Sequence, residues 1–156
     1  MLQRIEVAAG RTFMEVGLDD VADHPPPSIA DLGEYLRRGR SWVATDDEDR
    51  PVAFMLTSVV DGNAHIDEVS VHPTHSRRGI GRALIEHLVE RAGCHHQPAI
   101  TLTTFTGVPW NAPYYSRCGF HPVDDSDLGP ELARIRRDEG WRGLDRHPRI
   151  AMIRPV

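Results

Sequence analysis

With 156 residues, 40% of them hydrophobic and 26% charged, the chain suits a single domain spanning 1–156 with a substantial buried core. A net charge of −5 and a pI near 6.0 argue against a general nucleic-acid binder, because the clustered arginines are outweighed by acids. No apolar run approaches the roughly 18 residues of a membrane span and the N-terminus lacks a signal peptide's apolar core, which predicts a cytoplasmic protein without membrane contact. Cys94 and Cys118 are too few and too far apart to imply a disulfide framework, and both are expected to be reduced.

In chain order, Leu2, Ile5, Ala9, Phe13 and Val16 mark one face of a first helix that Gly17 ends. His24, Pro25, Pro26 and Pro27 cannot be helical and read as a stiff connector. Ser28 offers an N-cap with Asp31 three residues on, and Ile29, Leu32 and Leu36 supply the apolar stripe of a second helix that Gly39 closes. These two helices are expected to cover one sheet face. Strands follow over residues 42–45 and 52–60, separated by an acidic turn over 46–50. Asp61-Gly62 is a hairpin signal, so residues 64–71 should pair antiparallel with 52–60. After a long helix, residues 99–105 read as a strand rich in threonine. Asn111 is placed to cap a short helix running to about Cys118, with Gly119 in the C′ position and Phe120 opening another strand. Gly129-Pro130 starts a helix through Leu132 and Ile135, and residues 150–153 form the last strand.

The chemistry-bearing stretch is 72–92, where a strand ends at Val71, a polar loop follows, and Ile80, Leu84, Leu88 and Ala92 recur at helical spacing. Gly79 and Gly81 fall at the helix mouth, where a missing β-carbon lets a ligand approach unpaired backbone N–H groups. With Arg77, Arg78 and Arg82, that mouth is a seat for a pyrophosphate. No Walker string G-x-x-x-x-G-K-[ST] is present, and a dinucleotide fingerprint would need a glycine where Leu84 stands. The string V-x-P-x-x-S-R-R-G-I-G-R-A-L-I resembles the pyrophosphate motif of the GNAT superfamily of N-acetyltransferases, [QR]-x-x-G-x-[GA]. Ser76 replaces the family's Gln or Arg, which removes a side-chain contact and leaves the backbone donors. A second string, P-W-N-A-P-Y-Y-S-R-C-G-F over 109–120, is similar to the family's C-terminal signature, in which a Tyr precedes a Gly-Phe pair by four residues; Tyr115 holds that place.

The resemblance covers nearly the whole chain and implies an α/β (α+β) fold: one GNAT domain with a mixed, largely antiparallel sheet flanked by helices. Family members begin with a strand before the first helix. Here Met1 falls almost on the helix, so that strand is missing, leaving the strand of Trp42 at the sheet edge, or it precedes the recorded start. The resemblance further implies that acetyl-CoA is the cosubstrate, held in a cleft between splayed strands ending near Val71 and Phe105. Ser76, Arg77, Arg78, Gly79, Ile80, Gly81 and Arg82 would take its pyrophosphate. The main chain of Val69, Ser70 and Val71 would bond the acetyl carbonyl and pantetheine amide. Tyr115 would protonate the departing thiolate and touch the cofactor, and Asn111 is a helix cap or a further contact to the pantetheine arm.

Acetylating an amine also requires a base, because an ammonium has no lone pair. The strand offers His65, Asp67 and Glu68 as candidates: a family count points to the position of His65, whereas Glu68 lies nearer the expected acetyl group and, by strand alternation, on the opposite face from His65 and Asp67. The alternative for Glu68 is a salt bridge to an arginine. Neither His72 with His75 nor Cys94-His95-His96 has the paired spacing of a structural zinc site, and no metal is expected. The arginines at 134, 136, 137, 142, 146 and 149 read as a solvated face, with an acidic-substrate site as the alternative. Trp110 and Tyr114 are core aromatics or the wall of an acceptor pocket. The acceptor is a primary amine of a small molecule or peptide that the sequence does not choose, and an unpaired edge strand would favour a homodimer without requiring one. A non-catalytic acyl-CoA-binding module is the competing reading.

Overall fold

Six strands form a sheet in the order β1-β2-β3-β4-β6-β5, where β1 is Ser41–Thr45, β2 Pro51–Val60, β3 Asn63–Val71, β4 Ala99–Phe105, β5 His121–Val123 and β6 Arg149–Pro155. The structure is a computed structural model that describes residues 1–156. β1 lies at one edge, and β1–β2, β4–β6 and β5–β6 are antiparallel while β3–β4 is parallel. This is the mixed, largely antiparallel sheet that the family resemblance implies. Backbone contacts divide the chain into two compact units, residues 1–57 with 68–86 and residues 58–67 with 87–156.

In the first unit, α1 (Leu2–Gly10) inserts Ile5 against Phe54 and Leu56 of β2, and Leu2, Leu32 and Tyr35 pack around that cluster. Each such large apolar side chain stabilises the fold by roughly 1.5–3 kcal/mol when fully buried. The first helix is shorter than its apolar spacing suggests. After Gly10 the chain tightens into a 3-10 turn over Arg11–Val16, which rotates Val16 out to 41% exposure before Gly17 ends the segment at φ 75°. A four-residue helix α2 (Asp19–Ala22), absent from the sequence reading, follows.

Helix α3 (Ile29–Arg37) has the expected capping box: Ser28 Oγ accepts from the Asp31 N–H, and the Asp31 carboxylate accepts from the Ser28 N–H. Its inner face differs from the expected stripe, because Leu32 and Tyr35 point to the core while Ile29 and Leu36 are 77% and 70% exposed. At roughly 100° per residue, an inner direction set midway between Leu32 and Tyr35 turns the other two about 70–90° away.

In the second unit, Asp61 and Gly62 both adopt positive φ, 50° and 77°, as the two-residue hairpin turn between β2 and β3 requires. Asp61 also reaches α6 (Pro130–Trp141), whose own N-cap Gly129 has no side chain to offer. Its Oδ1 accepts from the Glu131 N–H at 3.0 Å and its Oδ2 from the Leu132 N–H at 2.9 Å, while the Glu131 carboxylate accepts from the Asp61 N–H. A β-carbon on Gly129 would lie 2.4 Å from that carboxylate, so glycine is required by the close approach. Leu132 then packs with Val60 and Ala151, flanked by Leu128 and Ile135.

Helix α5 (Ala112–Arg117) departs from expectation at its start, since Asn111 makes no side-chain capping bond. Gly119 takes φ 88° past its end, Phe120 is buried ahead of β5, and β6 is longer than its apolar run. Cys94 and Cys118 are free thiols. No helix is long and apolar enough to cross a membrane.

Candidate active site

Within the first unit, β3 runs through Val69, Ser70 and Val71 into a short 3-10 turn at Pro73–His75, then Ser76 to Gly79, then α4 (Ile80–Cys94). Arg77 and Gly79 both take left-handed φ, 60° and 80°, which bends the chain so that the first turn of α4 opens outward. Ser76, Arg77, Arg78, Gly79 and Arg82 are exposed, and Ile80 and Gly81 are half-buried. The Ser76 hydroxyl donates to the Pro73 carbonyl at 2.8 Å, so it braces the loop. Arg77 and Arg78 pair with no carboxylate, and Arg82 approaches Glu86 only at 3.9 Å. First-turn N–H groups without intrahelical acceptors plus uncommitted guanidinium groups form an anion seat. His72 and His75 are tied to each other through the Thr74 hydroxyl, at 2.8 and 2.9 Å.

Upstream on β3, Glu68 is half-buried and accepts a hydrogen bond from the Ser70 hydroxyl at 2.8 Å. No arginine pairs with it, contrary to the salt-bridge alternative. Burial pushes its carboxyl up to about 7, against a weaker downward pull from Ser70. Facing it is Glu6 of α1, pushed up to about 8 by burial and by the charge of Glu68. The Glu6 Oε2 atom is inaccessible to solvent and has no hydrogen-bond partner. Sequence reasoning missed Glu6, although a signal exists: at 3.6 residues per turn it falls within about 40° of Leu2, on the apolar stripe, where a carboxylate is costly without a role.

The remaining residues belong to the second unit. His65 is 2% exposed, and its Nδ1 lies 2.8 Å from the Thr101 hydroxyl of the paired strand. Burial pushes its imidazole down to about 4, with Glu139 pulling weakly the other way, so it is neutral at physiological pH. Glu139 of α6 anchors a polar network that draws in Arg136 and Arg149, whereas Arg134, Arg137, Arg142 and Arg146 are exposed, as a solvated face requires. It accepts from Arg136 Nη1 at 2.7 Å, from Arg149 Nη2 at 3.0 Å and from the Thr103 hydroxyl. The Arg136 and Arg149 side chains are only 13% and 9% exposed. Burial alone would raise Glu139, but Arg149, Thr103 and Arg136 together hold it below the usual carboxylate range. Arg149 also stacks over Phe105 at 4.3 Å.

Tyr115 is half-buried on α5, its ring edge-on to Phe120 at 5.8 Å and to Tyr114 at 5.5 Å. The Phe120 N–H donates back to the Tyr115 carbonyl at 3.1 Å, which closes the end of α5 through Gly119. Trp110 is 36% exposed, which excludes it from the core.

Comparison with known proteins bears on the family and the fold. The peptidyl-lysine N-acetyltransferase YjaB of Salmonella typhimurium is 28% identical over 97 residues, 62% of this chain and 61% of that protein, so the chain spans about three-fifths of this relative's length. A GNAT-family acetyltransferase of Staphylococcus aureus Mu50 superposes with a TM-score of 0.71 over 98% of this chain and 92% of its own, at 14% identity. N-acetylglutamate synthase of Neisseria gonorrhoeae, complexed with coenzyme A and N-acetyl-glutamate, gives 0.68 over 97% of this chain and 32% of its own, also at 14% identity. At these identities the two structures establish the fold. The family model described as acetyltransferase (GNAT) family matches residues 10–120, and the chain belongs to that family.

Proposed function

We propose that the protein is an N-acetyltransferase that moves the acetyl group of acetyl-CoA to a primary amine of a peptide or small molecule by direct attack. The observation that carries this reading is Glu68, a half-buried carboxyl poised near 7 on the strand that leads into the glycine loop. A base works best with its pKa near the working pH. His65, pushed down to about 4, is a far weaker base. The name of the Salmonella relative favours a lysine side chain as acceptor.

In this reading the backbone N–H groups at Ile80, Gly81 and Arg82, with Arg77 and Arg78, hold the pyrophosphate, and Gly79 and Ser76 shape the loop. The main chain of Val69, Ser70 and Val71 holds the acetyl carbonyl and pantetheine amide, and Asn111, free of a capping duty, is available to the pantetheine arm. Glu68 takes a proton from the ammonium, the nitrogen bonds to the thioester carbon, and the carbon–sulfur bond breaks as Tyr115 gives its proton to sulfur; the nitrogen's second proton then restores the Tyr115 hydroxyl, and Glu68 releases its proton to solvent.

The test is a panel of amines with acetyl-CoA, followed by free thiol release. Every lysine-or-arginine position in these 156 residues is arginine, so acetyl groups found on lysine belong to the acceptor. Thiol release with at least one amine is expected. Tyr115→Phe should lower kcat by about one to three orders of magnitude with little change in KM for acetyl-CoA. Acetyl-CoA binding without thiol release across the panel would instead identify a non-catalytic acyl-CoA-binding module.

A further inference from the structure

Helix α6 has two faces, and only one of them is matched by the rest of its unit. Leu132 and Ile135 pack toward Val60 and Ala151, and Arg136 and Glu139 close the buried polar network beside them. The opposite face carries Arg134, Arg137 and Trp141, all exposed, the indole to 89%. At about 100° per residue the direction of Trp141 falls between those of the two arginines, about 20° from Arg134 and about 40° from Arg137. Neither guanidinium pairs with a carboxylate, and the indole has no ring, cation or hydrogen-bond partner. Asp138, about 60° from Trp141, is the nearest acid on that side and pairs with neither arginine. Arg142 and Arg146, exposed and also without a carboxylate, carry the positive charge past the helix end.

Tryptophan and arginine are the side chains most enriched at the energetic centres of protein interfaces, where an indole supplies area and a guanidinium pairs with a carboxylate through two parallel N–H bonds. The whole chain carries a net charge of −5, so this concentration of positive charge is local. A long polyanion would meet the rest of an acidic surface, whereas a short acidic segment meets the patch alone. We propose that the outer face of α6, formed by Arg134, Arg137 and Trp141 with Arg142 at its end, docks an acidic segment of a partner protein. Carboxylates of the segment pair with the guanidinium groups, and one of its apolar side chains covers the indole. From Arg134 to Trp141 the face is about 10 Å long, which matches three to four residues of extended chain. This surface goes beyond the transfer reading and does not depend on it.

The test is fluorescence anisotropy of a fluorescein-labelled octapeptide, Glu-Glu-Leu-Glu-Glu-Leu-Glu-Glu, titrated with the full chain at low and at physiological salt. Saturable binding in the micromolar range is expected, weaker by about threefold or more at the higher salt. Trp141→Ala should weaken it by about tenfold or more, and Arg134→Gln combined with Arg137→Gln should do the same and remove most of the salt dependence. A peptide with glutamine in place of every glutamate should not bind. Arg4 of α1 and Arg11 just past its end are exposed at the same seven-residue spacing with no aromatic between them, so their double glutamine variant should bind the peptide as wild type does. Every side chain changed is exposed, and unchanged urea midpoints would show that each variant folds. Absence of saturation with wild type, undiminished binding by Trp141→Ala, or an equal loss in the Arg4 and Arg11 variant would each overturn the proposal. A single-stranded thymidine octanucleotide bound as tightly as the peptide would also overturn it, and would assign the face to nucleic acid.

Discussion

The molecule treats buried glutamates in two opposite ways. Glu139 is surrounded by Arg136, Arg149 and Thr103 and is held below the usual carboxylate range. Glu68 and Glu6 have between them one hydroxyl donor and are pushed up to about 7 and 8. Glu139 is the least exposed of the three and yet has the lowered carboxyl, so burial alone does not set the outcome; the partners do. A carboxylate whose acceptor sites are all filled by the protein has nothing left to offer a ligand, and one left unfilled is available for chemistry at a cost in stability.

The largest effect should come from the unfilled side. Glu68→Gln is expected to lower kcat/KM by about two to four orders of magnitude and to abolish the rise in activity as pH passes about 7, with acetyl-CoA affinity unchanged. His65→Gln should leave that rise in place. If instead the histidine change removes it, the base is His65 and the comparison loses its functional half.

Next in size is the filled side. Glu139→Leu leaves the buried Arg149 guanidinium without an acid and Arg136 with only the half-exposed Asp145, and should destabilise the protein by about 3–5 kcal/mol in urea unfolding. Replacing Glu139, Arg136 and Arg149 together by apolar residues of similar volume should recover most of that loss, because the one charge left without its partner, Asp145, is 48% exposed. Acetyl-CoA affinity should be unchanged in the triple variant once folded.

The smallest effect is a difference in pH dependence. For Glu6 and Glu68 the folded value lies above the ordinary carboxylate value, so the folded state binds more protons between about 4.5 and 8 and stability falls as pH rises through that window. For His65 the folded value lies below the ordinary 6.5, so stability falls as pH drops from there through about 4. Glu6→Gln should therefore raise Tm at pH 9 by a few degrees, on the order of 1 kcal/mol, and change it little at pH 5. Scanning calorimetry at the two pH values checks this.

What could be read from the sequence is what is local along the chain. The Ser28 and Asp31 capping box, the Asp61-Gly62 turn and the Gly79 to Gly81 mouth each depend on residues within a few positions, and each appears in place. The inward face of α3 was misread because the partner surface, Phe54 and Leu56, chose Tyr35 over Ile29 and Leu36. Arg136 and Arg149 look like part of the charge run because the acid that gathers them, Glu139, is one polar residue among many on α6, and its third partner, Thr103, is 36 residues upstream. Glu6 escaped notice for the same reason: it meets Glu68 across 62 positions, and only its place on an apolar stripe hinted at it.

The turn at Asp61 has a consequence for the order in which the chain folds. The N-terminal donors of α6 are received by a residue 70 positions earlier, so this helix cannot be capped until the β2–β3 hairpin has closed. Closing so long an interval costs chain entropy before any capping bond forms, which places α6 among the late elements to assemble. Turn and helix end then open together. Backbone amides of Asp61 and Leu132, far apart in the chain, should exchange with solvent in one shared opening event, and Gly129→Ala, by pressing a β-carbon into the Asp61 carboxylate, should accelerate both.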